Sequence, residues 1–174
     1  MREVGRIAAA LHDAPPAAAR PLGDSGTEAT PAADLADAAV LVPLILMPEP
    51  HLLLTRRADT LRTHKGQIAF PGGRMEAGET PWEGAVREAE EEIGLARHVP
   101  ERIGYLDPYV TITRFRVQPC VALVPDGMRF VPDPREVAEV FTVPLAFLED
   151  RRNHEQRSGT VNGRKRFAYA MPYQ

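Results

Sequence analysis

The stretch Gly73–Leu95, GRMEAGETPWEGAVREAEEEIGL, constrains this chain more than any other. It opens on the glycine pair Gly72-Gly73 and turns through Ala77-Gly78 before reaching Thr80, a good N-cap. Pro81 suits the first helical position, and Glu83, three residues after Thr80, completes a capping box. Gly94 is a natural stop just past Ile93. The pattern predicts a helix over Pro81–Ile93.

At about 100° per residue, Trp82, Val86, Ala89 and Ile93 fall on one stripe, which is expected to bury against a sheet. Glu88, Glu91 and Glu92 stand at i, i+3 and i+4 and converge on a different face, with Glu90 pointing away. Like-charged neighbours on a helix cost about 0.2–0.5 kcal/mol per pair, so the cluster is mildly self-destabilising unless a cation sits among the carboxylates. An arbitrary glutamate run is usually a solvated face. An oxygen-rich carboxylate site, however, suits Mg²⁺ or Mn²⁺, and magnesium typically takes one or two protein carboxylates together with waters and substrate phosphates.

The glycine loop, the capped helix, the arginine beside the first glutamate and the separate apolar stripe all agree. Together they resemble the Nudix hydrolase box at each fixed position: Gly73, Glu79, Arg87, Glu88, Glu91, Glu92 and Gly94. Ala89 and Leu95 occupy its two apolar positions. Upstream, Leu53-Leu54-Thr55-Arg56-Arg57-Ala58, Arg62, Gly66 and Phe70-Pro71-Gly72-Gly73 resemble the signature of the coenzyme A diphosphatase branch. The two motifs span about a quarter of the chain.

The resemblance implies an α/β (α+β) Nudix fold, a mixed sheet sandwiched between helices, with residues 1–37 as an N-terminal helix and Ala/Pro-rich strap and 38–174 as the Nudix domain. It implies hydrolysis of the diphosphate of coenzyme A and its derivatives to 3′,5′-ADP and 4′-phosphopantetheine, using Mg²⁺ or Mn²⁺. Glu88 and Glu92 are then the principal metal ligands, Glu91 a third or shared one, and the Gly72 carbonyl an additional one. Arg87, held close to Glu88 and Glu79, orients the carboxylates. Glu91, Glu136 and Glu139 stay open as the group that takes the proton from water, and a solvated face is an equal reading for Glu136 and Glu139. Arg56, Arg57 and Arg62 are the expected phosphate contacts. A Nudix hydrolase of another nucleotide, such as ADP-ribose, is the second reading, and a non-catalytic Nudix-scaffold binding module the third.

Along the rest of the chain, Arg2–Leu11 reads as a short helix and 14–33 as a linker. Ala38–Met47 reads as a strand whose Pro43 argues for an edge or a bulge, and His51–Arg57 as the next strand. Arg102–Leu106 and Phe115–Val124 read as strands, with Tyr109 and Arg114 in the loop between them as candidates to border the substrate. Pro144–Asp150 suits a short helix. Asn162-Gly163 is a hairpin turn between 158–161 and 165–169. Related proteins continue into a tryptophan-containing segment and a final helix, so with this sequence ending at Met171-Pro172-Tyr173-Gln174 the expectation is either that this helix is missing from it or that the sheet is covered differently.

A net charge of −3 gives no general nucleic-acid surface. No run is long and apolar enough for a membrane span, and the first residues lack a signal-peptide core, so a cytoplasmic location is the default expectation. The single cysteine, Cys120, excludes an internal disulfide and reads as a small buried residue. The partner expected is a small molecule, CoA or a derivative, and a homodimer stays open.

Overall fold

The structure, a computed structural model, describes residues 2–16, 22–23, 34–61, 64–161 and 164–173. In chain order its elements are α1 (Arg2–Ala8), β1 (Leu22–Gly23), β2 (Ala36–Leu46), β3 (His51–Arg57), β4 (Ile68–Ala69), β5 (Gly72–Arg74), α2 (Pro81–Ile93), β6 (Glu101–Tyr105), β7 (Tyr109–Val110), β8 (Phe115–Pro125), β9 (Val137–Pro144), α3 (Leu145–Glu149), β10 (Glu155–Val161) and β11 (Arg164–Ala170). This is an α+β fold built on a large mixed sheet, as expected.

Strand β2 lies at its centre. It pairs along its whole length with β8 in parallel, from Ala36 opposite Phe115 to Leu46 opposite Pro125. On its other side two antiparallel partners share it, β5 opposite Ala38–Val40 and β3 opposite Leu44 and Ile45. The far side of β3 carries β9, and the outer side of β8 carries β6 and β7. The sheet therefore forks where β2 exchanges one partner for the other, and the chain crosses that fork between β4 and β5.

Pro43 shows why the edge expectation fails. The Leu41 N–H donates to the Pro71 carbonyl at 2.8 Å, so strand alternation turns the Pro43 nitrogen to the same side. There it meets the interval between the β5 and β3 pairings, and no ladder bond is lost. An interior strand tolerates the proline for that reason.

Helix α2 has the expected limits. Thr80 Oγ1 accepts from the Glu83 N–H at 3.3 Å, and the Glu83 carboxylate accepts from the Thr80 N–H at 2.8 Å. Gly94 ends the helix in the left-handed region, at φ 69°. Odd positions of β2 and even positions of β8 face the helix. Leu41, Ile45, Cys120 and Val124 are buried there with Val86, Ala89 and Ile93, and Trp82 packs half-buried against them. Burial pushes the Cys120 thiol up to about 12, so it is an inert core residue.

The N-terminal helix is shorter than expected. After Ala8 its last turn tightens into i→i−3 bonds, Ala10 N–H to Ile7 O and Leu11 N–H to Ala8 O, and His12 then pairs with Tyr105. Strands β10 and β11 form a separate antiparallel ribbon, while 162–163, where the Asn162-Gly163 turn is expected, lie outside the described residues. Among the described residues no second long helix occurs, and no helix is long and apolar enough to cross a membrane.

Candidate functional site

The fork in the sheet and the polar side of α2 meet at Gly72, and the charged groups gather there. Arg87 is their hub. Its Nε donates to Glu79 Oε1 at 2.7 Å and its Nη2 to Glu79 Oε2 at 3.1 Å and to the Arg74 carbonyl at 3.0 Å. Its Nη1 donates to Glu88 Oε1 at 2.9 Å and to Glu91 Oε2 at 3.2 Å. Every N–H of a guanidinium is thus engaged, although the side chain is only 10% exposed. Hydrogen bonding to Glu79 is the main cause that pushes the Arg87 pKa above its ordinary value, and the same contact holds the Glu79 carboxyl below the usual range.

The three clustered glutamates do not share one environment. At about 100° per residue, Glu92 lies about 40° from Glu88 on the side away from Arg87, and Glu91 about 60° from Glu88 on the side toward it. Glu88 and Glu92 accordingly turn under the fork, with side chains 17% and 5% exposed, while Glu91 stands at the rim at 55%. Glu92 Oε2 accepts the Gly72 N–H at 3.1 Å, and its Oε1 lies 3.8 Å from Arg57 Nη1. Burial raises its pKa to about 7, opposed by the Gly72 N–H and helped by the charges of Glu88 and Glu136. Burial likewise raises Glu88, against the pull of Arg87.

Glu136 is delivered by backbone bonds that leave no trace in local sequence. The Val131 and Asp133 N–H groups donate to the Ile93 and Glu92 carbonyls at 2.9 Å each, and the Ala58 N–H donates to the Glu136 carbonyl at 2.8 Å. These bonds clamp residues 131–136 across the end of α2 and the end of β3. They bring the Glu136 charge within electrostatic reach of Glu88 and Glu92.

Other expected residues sit elsewhere. Arg56 and Glu139 face each other across β3 and β9, with Arg56 Nε 3.4 Å from Glu139 Oε2 and its Nη1 3.3 Å from Asp59 Oδ2. Among the described residues neither is bonded to Glu88, Glu91 or Glu92. Arg57, one residue on, turns the other way and reaches the site. Arg62 lies outside the described residues. Tyr109 is fixed in β7, in the sheet. The Gly72 N–H, rather than its carbonyl, is the group seen to touch a carboxylate, and the Arg74 carbonyl that fixes Arg87 was not anticipated. Backbone groups carry no sequence signal of their own.

The donor chemistry fits a hard dication. The buried Glu92 and the half-buried Glu88 both stand above the ordinary carboxylate pKa, chiefly because of burial, and both are oxygen ligands of the type Mg²⁺ and Mn²⁺ take. Among the described residues no three His, Cys, Asp or Glu side chains are already gathered to hold a metal.

A glycine-turned, arginine-braced acidic helix under a forked mixed sheet defines a class of domain, and comparison with known proteins says which. The NUDIX domain model matches residues 36–161 of the 174; the chain belongs to the Nudix family. It is 47% identical over 109 residues to the uncharacterized Nudix hydrolase NudL of Yersinia enterocolitica, covering 62% of this chain and 56% of the relative. It is 46% identical over 110 residues to that of Cronobacter sakazakii, covering 63% and 57%. The chain thus spans little more than half the length of these curated relatives. Among solved structures, the Nudix hydrolase RenU from M. smegmatis aligns with a TM-score of 0.54 at 28% identity, over 63% of this chain and 70% of that one. The C. elegans Ap4A hydrolase binary complex aligns with a TM-score of 0.54 at 19% identity, over 64% and 82%, a likeness of fold alone.

Proposed function

We propose that the protein hydrolyses the diphosphate of coenzyme A or a derivative, giving 3′,5′-ADP and 4′-phosphopantetheine or its acyl form. The carrying observation is that Glu92, buried on the same helix face as the half-buried Glu88, meets Gly72 and Arg57, both of which belong to the signature upstream of the box. A basic group next to a dication-binding pair is what a ligand with adjacent phosphates requires.

In this reading Glu88 and Glu92 hold Mg²⁺ or Mn²⁺, with Glu91 available at the rim as a shared ligand. The bound cation supplies charge neutralisation and lowers the pKa of water. Arg87 fixes Glu88 by the bonds described, and Gly72 fixes Glu92. Water oxygen joins one phosphorus, the bond from that phosphorus to the bridging oxygen breaks, and its electron pair leaves with the other phosphate. Of the carboxylates that could take the water proton, Glu91 is engaged by Arg87 and Glu139 by Arg56. Glu136 has no such partner among the described residues, so it is the proposed base. Arg57 contacts the phosphates, and Arg62 keeps that role on the motif alone.

The test compares CoA, dephospho-CoA and ADP-ribose with Mg²⁺ or Mn²⁺ present, following release of 3′,5′-ADP from CoA and of AMP from the other two. Loss of the 3′-phosphate removes a charge-assisted contact of about 1.5–3 kcal/mol, so kcat/KM for dephospho-CoA is expected to fall about tenfold or more. Equal or faster cleavage of ADP-ribose would move the assignment to another nucleotide, and no cleavage of any would favour a binding module.

Gly73 gives a finer check. A Cβ there would sit 2.5 Å from Glu88 Cδ and Oε2, so Gly73→Ala must push that carboxylate aside. Because the displaced group is the end of a flexible side chain, the fold is expected to survive. Mn²⁺ affinity, read by titration calorimetry, is expected to fall about 10- to 100-fold; unchanged affinity would remove Glu88 from the ligand set.

A further inference from the structure

Arg57 ends β3 with its backbone locked, its N–H donating to the Gln67 carbonyl at 2.9 Å and its carbonyl accepting from the Gly66 N–H at 3.2 Å. Its side chain is therefore aimed, and it is aimed at Glu92. The aim is incomplete. Nη1 stops 3.8 Å from Glu92 Oε1, beyond hydrogen-bond length, and Nε is buried without a hydrogen-bond partner among the described residues. Arg87, in the same site, uses every donor. A buried donor left unsatisfied costs stability, and an arginine fork with its donors unspent matches an array of anionic oxygens. Glu92 does not serve as that array here, since its Oε1 stays 3.8 Å from Nη1 while its Oε2 receives the Gly72 N–H.

Resting on the reading that Glu92 takes a dication, we propose that Arg57 is an exchangeable counter-ion, a ligand-contacting residue that changes partner during ligand loading. Without metal it neutralises Glu92 at a distance. When a divalent cation takes that carboxylate, two cations compete for one anion, and Arg57 turns its donors to a diphosphate oxygen of the ligand. Metal and diphosphate then bind with positive, reciprocal coupling through this side chain.

The sign of one measurement decides it. Arg57→Gln removes a competing cation, so Mn²⁺ alone, followed by calorimetry without substrate, is expected to bind about two- to fivefold more tightly than to the wild type. KM for CoA is expected to rise at least about tenfold, more than kcat falls. A static tether for Glu92 gives the opposite result, weaker Mn²⁺ binding, which would overturn the proposal, as would unchanged Mn²⁺ affinity. Arg57→Lys keeps the charge but not the fork. It should bind Mn²⁺ as the wild type does and still raise KM, and it carries the test if Arg57→Gln does not fold. Failure of the wild type to bind Mn²⁺ would instead remove the ligand assignment of Glu92, and this proposal with it.

Discussion

Glu92→Gln is expected to lower turnover by about 10²- to 10³-fold at saturating Mg²⁺, the loss that follows when several kcal/mol of charge stabilisation disappears. The substitution is nearly isosteric, and the glutamine carbonyl can still accept the Gly72 N–H now received by Glu92 Oε2. What goes is the negative charge, in a group only 4% exposed. Steady-state release of 3′,5′-ADP, with a thermal melt on the same preparation, separates chemistry from folding. Normal turnover by this variant would refute the ligand assignment.

The same variant makes a prediction about stability. In the fold, the Glu92 pKa is raised to about 7 from an ordinary 4.5, because burial disfavours its charged form. Between those values the folded state holds a proton that the unfolded state has released, so metal-free stability falls as pH rises. The penalty is absent below pH 4.5, grows toward 7 and is complete above it, on the order of 3 kcal/mol. Melts in chelator are therefore expected to drop by roughly 6–12 °C from pH 5 to pH 8. Glu92→Gln should retain only the part due to Glu88, which burial also raises. At pH 8 without metal it should melt above the wild type, and Mg²⁺ should close that gap by stabilising the wild type.

How far the sequence reached depends on the range of the forces involved. Helix α2 was legible to the residue because Thr80, Pro81, Glu83 and Gly94 act within one turn of where they stand. The division among Glu88, Glu91 and Glu92 was not, since all three fit one acidic face until Arg87 and the fork take opposite sides of it. Pro43 misled because the cost of a missing N–H depends on what lies across from it, and β2 happens to have an interval between partners there. Arg56 and Arg57 read as equivalent cations, yet strand alternation, at a point where the β3–β9 register shifts, sends one to Glu139 and the other to Glu92. Glu136 could be named only as one of two candidates, because its place is set by backbone bonds from residues 131–133 to the end of a helix some forty positions earlier.

Arg87→Ala is expected to produce the largest stability loss of any single substitution in the site. Removing one partner of a buried ion pair leaves the other charge uncompensated, at about 3–5 kcal/mol, or roughly 6–20 °C of melting temperature in a domain of this size. Here two inward carboxylates, Glu79 and Glu88, lose their cation, and the Arg74 carbonyl loses its donor. Arg87→Lys should recover only part of the loss, since an ammonium cannot reproduce the paired bonds to both oxygens of Glu79. The deficit should also shrink in acid. Arg87 holds the folded Glu79 carboxyl below its ordinary value, so that contribution is present above about pH 4.5 and is lost as pH falls through the depressed value. Differential scanning calorimetry of both variants at pH 4 and pH 8 reads all three expectations together. An Arg87→Ala protein melting within about 2 °C of the wild type at pH 8 would mean that water solvates these carboxylates, and that the brace contributes orientation without stability.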